Sequence, residues 1–236
     1  MKISALLLLL FSPILVLAQD LSPKDAQGKK HGLWRKSYPN GKLRYEGEFV
    51  HGKPVGTFKH YFDNGQLRTK NVFRGKTGIC MSYQYGAKDI LAAQGLYDDR
   101  EKDSVWTYFN QQGEVIGREP YQNGLLHGEA IKYFANGKVA ERVTYKEGVK
   151  QGLWLQFYDS GKKMAEGQYE NGKLQGKCTY FYSSGKPRLR GEYRKGLMHG
   201  PWYYFGDNLK LDKKEIWHYG RKIEKEEKDG ESSSRP

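Results

Sequence analysis

The sequence lacks the short motifs that announce chemistry. It has no C-x-x-C, H-E-x-x-H, G-x-S-x-G, phosphate-binding P-loop or EF-hand pattern, so the familiar signatures of zinc, serine-nucleophile, nucleotide and calcium sites are missing. Two cysteines among 236 residues exclude a disulfide-dense scaffold. Hydrophobic residues make up 37% of the chain, which is thin for a domain of two packed layers. No stretch keeps a helical period. Beyond Ala18 no apolar run is long enough to cross a bilayer as a helix.

The one long apolar run is at the start, MKISALLLLLFSPILVLAQD. Lys2 supplies a basic n-region, Ile3 to Leu17 an apolar h-region, and Val16-Leu17-Ala18 the small-residue pattern before a cleavage site. Residues 1–18 are therefore expected to be a secretory signal cut near Ala18, with an uncleaved anchor as the alternative. The mature chain would be secreted or periplasmic. Residues 19–27 read as a linker and 221–236 as a charged, disordered tail. That tail has five basic and five acidic residues, so the formal charge of +13 sits in the body. A basic body suits either solubility or an anionic partner.

What the sequence has in abundance is glycine and tyrosine, 29 and 18 residues, set on a fixed period. Steps of 24 from Phe49 meet Phe73, Tyr97, Tyr121, Tyr145, Tyr169, Tyr193 and Trp217, all aromatic. The same step from Gly32 meets Gly56, Cys80, Ser104, Gly128, Gly152, Gly176 and Gly200, all small. The frame runs from Gly28 to Gly220 as eight units, of which the third, with Asp89 at the turn-glycine position and Gly78 hinting at a shift, is the most degenerate. Within a unit, an aromatic-rich run leads to Asn-Gly or Ser-Gly (Asn40-Gly41, Ser160-Gly161), then to a second run and a G-x-x-x-G link. Aromatic runs joined by Asn-Gly predict β-hairpins with type I′ turns. The expected fold is all-β: a single-layer, twisted, solenoid-like antiparallel meander of about eight 24-residue hairpins over residues 28–220.

A two-residue turn at Asn40-Gly41 sets a register. Tyr38 would face Leu43, Lys36 Tyr45, Trp34 Gly47 and Gly32 Phe49, all on one face. Trp154 with Gly167 and Gly152 with Tyr169 would repeat the pattern, each ring shielding a strand glycine. The repeat-defining residues are thus Gly32, Trp34, Gly41, Gly47, Phe49, Trp154, Gly161, Gly167, Tyr169, Trp202 and Trp217. The other, wetter face would pair Arg35 with Glu46, Tyr61 with Arg68 and Phe181 with Arg188. Tyr61, Arg68, Phe157, Phe181 and Arg188 are the candidate binding residues there.

The same geometry weighs the remaining candidates. Cys80 and Cys178 lie about four units apart, on the order of 40 Å along a flat meander, so two free thiols are expected. His31, His127 and His199 share one slot but are too far apart for one metal, and His51, His60 and His218 show no partner at ligand spacing. No catalytic residue, metal or cofactor is expected, and nucleic acid is not an expected partner.

Units such as HGLWRKSYPNGKLRYEGEFVHG and QGLWLQFYDSGKKMAEGQYENG resemble the MORN repeat variant, found in bacterial proteins of the YwqK type that are named as antitoxin components of toxin–antitoxin pairs. The resemblance covers Gly28 to Gly220 and implies hairpin arrays with no catalytic residues to carry over. It also implies a protein partner, in the antitoxin case a toxin. With an export signal the expectation becomes an exported antitoxin or immunity-like component that binds protein through a basic, aromatic-rich sheet. The alternative is an anionic-lipid or envelope-glycan surface binder, or a structural scaffold of the cell envelope.

Overall fold

A computed structural model describes residues 20–223. The expected signal at 1–18 and the tail beyond Ile223 lie outside the described residues. The fold is all-β, as the period predicts. The described chain divides into two compact units, one reaching to Gly78 and including Ala87–Asp89, the other holding Ile79–Gly86 and all from Ile90 on. A single repeat domain was the expectation. The division falls in the degenerate third unit, where residues 74–79 replace the two-residue link used elsewhere.

The first unit is a four-stranded antiparallel meander of β1 (Gly32–Ser37), β2 (Leu43–Val50), β3 (Lys53–Tyr61) and β4 (Leu67–Phe73). The second continues the same grammar. It opens with β5 (Cys80–Tyr85), β6 (Leu91–Asp98), β7 (Glu101–Phe109), β8 (Val115–Gln122), β9 (Leu125–Leu126) and β10 (Gly128–Tyr133). There follow β11 (Val139–Lys146), β12 (Val149–Phe157), β13 (Lys163–Glu170), β14 (Lys173–Leu174) and β15 (Gly176–Phe181). The array closes with β16 (Pro187–Arg194), β17 (Leu197–Phe205), β18 (Leu211–His218) and β19 (Arg221–Ile223).

The Asn-Gly turn is not of the expected type. At Asn40-Gly41 the Gly41 amide donates to Tyr38 O at 2.9 Å and the Tyr38 amide to Lys42 O at 2.8 Å. This is a type I turn closed by a left-handed glycine, Gly41 at φ 80°, a three-residue loop. The type I′ turn, with positive φ at both positions, falls in the other link, at His51 (φ 49°) and Gly52 (φ 84°). Tyr38 therefore does not face Leu43, which pairs with Ser37. A bulge then restores the expected register beyond it, Lys36 with Tyr45, Trp34 with Gly47 and Gly32 with Phe49. The same shift repeats at Gln156/Phe157, Tyr180/Phe181 and Tyr204/Phe205.

In each unit the core lies on one face of its sheet. Trp34, Phe58, Trp106, Trp154 and Trp202, spaced by the period or a multiple of it, are all buried. The ring that covers Gly47 is Phe58 of the following strand, not Trp34. A Cβ added to Gly47 would lie 2.0 Å from the Phe58 ring. Gly95 stands likewise under Trp106 at 2.4 Å and Gly191 under Trp202 at 2.2 Å. Gly167 alone among these touches its own hairpin's Trp154, at 3.4 Å, because the following strand offers only Cys178. The period aromatics buttress these rings edge-on. Phe49 meets Trp34 and Phe58 at 5.7 and 5.1 Å, Tyr169 meets Trp154 at 5.9 Å, and Tyr193 meets Trp202 at 5.1 Å. The small slot itself has a backbone reason. Gly32, Gly56 and Gly152 take φ of 77°, 61° and 85°, and Ser104 accepts φ 56° in the same slot.

Both ends depart from the expected boundaries. Residues 20–27 are a cap on β1 rather than a linker. Leu21 bridges Arg35, the Ser37 amide donates to Asp20 Oδ1 at 2.8 Å, and Trp34 Nε1 donates to Pro23 O at 2.8 Å. Arg221–Ile223, assigned above to the tail, form β19 against β18, because Tyr219-Gly220 makes one more two-residue turn.

Gly191→Ala is expected to cost about 2 kcal/mol or more through overpacking against Trp202. Gly167→Ala, where the neighbours stand more than an ångström further off, should cost less. Chemical denaturation of the two variants measures the order, and equal costs would contradict the ring-on-glycine account.

Candidate functional site

With the rings gathered on one face, charged ladders line the other. In the first unit Glu46 holds Arg35 at 3.3 Å and Lys59 at 3.7 Å, and accepts from the Tyr61 hydroxyl at 3.0 Å. The expected Arg35–Glu46 pair is there. Burial, with Glu46 second, pushes the Tyr61 phenol up to about 12. The expected pairings of Tyr61 with Arg68 and Phe181 with Arg188 are not formed in the register. Tyr61 pairs with Leu67 and Phe181 with Pro187, because Arg68 and Arg188 are the extra residues of the bulges. Phe181 takes Lys163 instead, whose Nζ lies 5.5 Å from the ring centroid. Phe157 pairs with Lys163 at the bulge of its own hairpin. All three aromatics are half-buried, whereas Arg68 and Arg188 are exposed. Arg188 lines a separate depression with Tyr182, Tyr204, Phe205 and Asp212.

One concavity on the polar face was not visible in the sequence. A solvent-open groove of about 690 Å³ crosses β12, β13, β15, β16 and β17. Its floor includes the backbone of Gly167 and Gly191, the glycines that meet Trp154 and Trp202 on the ring face. Leu153, 47% exposed, supplies apolar surface together with Pro201 and Tyr203. Glu166, Glu192, Lys177 and Arg190 add two charges of each sign. Lys177 stands opposite Glu192 and Arg190 opposite Tyr203 in the ladder, so both charge signs and an aromatic are interleaved across strands. The arrangement offers hydrogen bonds, ion pairs and a stacking ring. In the first unit a smaller groove of about 450 Å³ repeats the design around Leu33, Glu46, Gly47 and Glu48.

Much of the basic charge has a structural use. Where a lysine follows the turn glycine, it donates to a carbonyl of the next turn. Lys42 Nζ reaches Asn64 O at 2.9 Å, Lys138 reaches Ser160 O at 3.0 Å, Lys162 reaches Ser184 O at 3.1 Å and Lys186 reaches Asp207 O at 2.6 Å. Other ammonium groups lie over rings, Lys30 at 4.5 Å from Trp34 and Lys102 at 4.5 Å from Trp106.

The cluster nearest to acid–base chemistry runs Lys102, Tyr108, Tyr121, Glu119. Lys102 Nζ lies 2.8 Å from the Tyr108 hydroxyl, the two phenols 3.3 Å apart, and Tyr121 donates to Glu119 at 2.7 Å. Burial first, then the neighbouring phenol and carboxylate, holds the Tyr108 phenol far above its ordinary value. Both cysteines are free and buried, and burial pushes Cys178 up to about 11 and Cys80 upward. These groups keep their protons at neutral pH.

The histidines correct the sequence reading. His51 was assigned no partner, yet its Nδ1 lies 2.7 Å from Asp25 Oδ2 and its ring 5.0 Å from that of His31. The comparison across equal slots missed this because the contact joins the first residue of a hairpin turn to a slot 20 residues earlier. His199 and His218 meet in the same manner, 5.3 Å apart.

At the C-terminal edge Glu215 ties β18 to β19, bonding to Lys222 at 2.9 Å, to Lys213 at 3.2 Å and to the Tyr204 hydroxyl at 2.7 Å. The Tyr204 bond first, then the Lys222 bond, lowers its carboxyl to about 2.

Comparison with known families places the MORN repeat variant at residues 30–51, 54–74, 126–147 and 150–171, and the MORN repeat at 166–186 and 190–201. No curated protein matches the sequence. Among solved structures, a chain in one titled "Crystal Structure of TcdB2-TccC3-Cdc42" is similar at 10% identity, with a TM-score of 0.22. The match covers 83% of this chain but spans only 15% of that one.

Because the folded-state value of Glu215 is depressed, its contribution to stability is present above the ordinary carboxylate range and is lost as pH falls from about 4.5 toward about 2. Glu215→Gln should therefore lower stability at pH 7 and remove that part of the acid dependence. Urea midpoints of parent and variant across pH 2–6 check it, with the two curves converging at the acid end.

Proposed function

Since the chain is a MORN repeat protein, we propose that it is a non-enzymatic binder whose partner is another protein, held in the groove across β12–β17. The observation that carries this is the groove itself, with Leu153, Pro201 and Tyr203 between Glu166, Lys177, Arg190 and Glu192. Mixed charge around an apolar and aromatic centre suits a protein surface, where a buried ring anchors and the charges choose the partner. An anionic membrane or glycan would call for a plane of free cations. Lys42, Lys138, Lys162 and Lys186 are instead committed to turn carbonyls.

The apolar run at 1–18 supports export, so the partner is sought in the cell envelope or outside the cell. The resemblance to the YwqK type makes a toxin the partner of choice, with this chain as its antitoxin or immunity-like component.

Affinity capture from the organism's own cell envelope, followed by binding measurements with the recovered partner, tests the reading. One stoichiometric partner should be recovered, and binding should survive about 0.3 M salt, where the Debye length is shorter than 8 Å. Tyr203→Ala and Leu153→Asp should each weaken it by about tenfold or more. Binding to anionic vesicles that collapses with salt and ignores both substitutions would replace this reading with the surface-binding one.

A further inference from the structure

The contact of His31 and His51 with Asp25 has a consequence for the N-terminal cap. One ring nitrogen from each histidine and one carboxylate oxygen lie within 4.8 Å of one another. Asp25 stands in the cap, His31 immediately before β1, and His51 at the first position of the β2–β3 turn. The chain thus brings three donors together from three separate segments of the first unit. We propose that Asp25, His31 and His51 form a site for a divalent transition metal of the zinc class, with its fourth position open to water.

The donor set fits such an ion. Two imidazoles and one carboxylate suit zinc, copper or nickel and not magnesium, which favours an all-oxygen shell. A tetrahedral ion with bonds of about 2.0–2.2 Å needs its donors roughly 3–3.5 Å apart. Asp25 Oδ2 and His51 Nδ1 already stand 2.7 Å apart with a hydrogen bond between them, and the ion takes the place of that proton.

Asp25 is also held as a metal-binding carboxylate is held. Its other oxygen, Oδ1, accepts from the Gln27 amide at 3.0 Å and the Lys29 amide at 2.8 Å. These bonds fix the carboxylate plane and leave Oδ2 for the ion. The Asp25 side chain is 8% exposed while that of His51 is 58% exposed, so the ion has an anchored ligand and an open path of entry. Lys30, the nearest cation in sequence to His31, lies over the rings of Trp34 and Phe49.

The far end of the array supplies an internal comparison. His199 occupies the slot of His31, and Tyr219 the slot of His51, with His218 beside it. Among the described residues no carboxylate completes a second group of this kind. When bound, the metal ties the cap to the first hairpin and to the turn after it. Stability then rises with metal concentration by mass action.

Untagged full-length protein titrated with zinc chloride, by calorimetry and by thermal unfolding, provides the test. One zinc ion per chain and a rise in Tm are expected, with magnesium chloride producing neither. His51→Gln and His31→Gln should each weaken zinc binding by at least about tenfold, and His199→Gln should leave it unchanged. His31→Gln touches none of the Asp25 loop bonds. Its circular dichroism without metal should match the parent, so a loss of zinc uptake reports the ligand and not the fold. Absence of zinc binding, or binding that survives His31→Gln and His51→Gln, overturns the site.

Discussion

A ring lying on bare backbone is the contact on which the rest of the sheet depends. A single layer has no second sheet or helix to bury its apolar face against. Here Phe58, Trp106 and Trp202 bury themselves on the strand before them, at Gly47, Gly95 and Gly191. The edge-on aromatics of the 24-residue period close over the remaining ring surface. Within each unit the core is therefore a row, not a centre, and at these positions one strand completes the one before it. This explains how a chain with so few hydrophobic residues keeps Trp106 and Trp202 buried. It also leaves the opposite face free of core duty, which is where the polar grooves lie.

The period carried most of the fold, and the errors have physical causes. Aromatic and glycine slots predicted the hairpins, the faces and the pairing of Trp34 with Gly47. Asn-Gly suggests a type I′ turn, but here the turn is type I, because only Gly41 takes φ > 0 while Asn40 contributes its side chain, accepting from the Lys42 amide. The faces survived the mistake because the bulge at Arg44 adds back the residue that the three-residue loop removes. The pairings that failed, Tyr61 with Arg68 and Phe181 with Arg188, are the ones that include a bulge residue. Long-range relations between unequal slots were not legible at all. The histidine contact and the lysine-to-carbonyl bonds join positions about 20 and 22 residues apart, and a search at one fixed period passes over both. The groove was likewise hidden, since concavity comes from how strands curve and not from which residues alternate.

The lysine bonds change what the basic composition means. A net charge of +13 suggests an anionic partner while the ammonium groups are thought of as free. Once several are seen capping the carbonyls of neighbouring turns or lying over rings, the charge becomes partly a product of repetition, because the same lysine recurs in several units. In the proposed reading the recognising surface is the mixed-charge face of β12–β17, whose charges form a pattern and not a single sign.

The buried slot that begins with Trp34 continues as Phe58, Ser82, Trp106, Ala130, Trp154, Cys178 and Trp202, so that large and small residues alternate from Phe58 onward. The residues before the rings are Gly47, Gly95, Val143 and Gly191, three glycines and one valine, and Val143 stands opposite Trp154 in the ladder. Glu119 precedes Ala130, a small member of the slot. An array shortened by the unit after Glu119 would set a carboxylate before Trp154 in place of Val143. Units equal in length are therefore not interchangeable bricks.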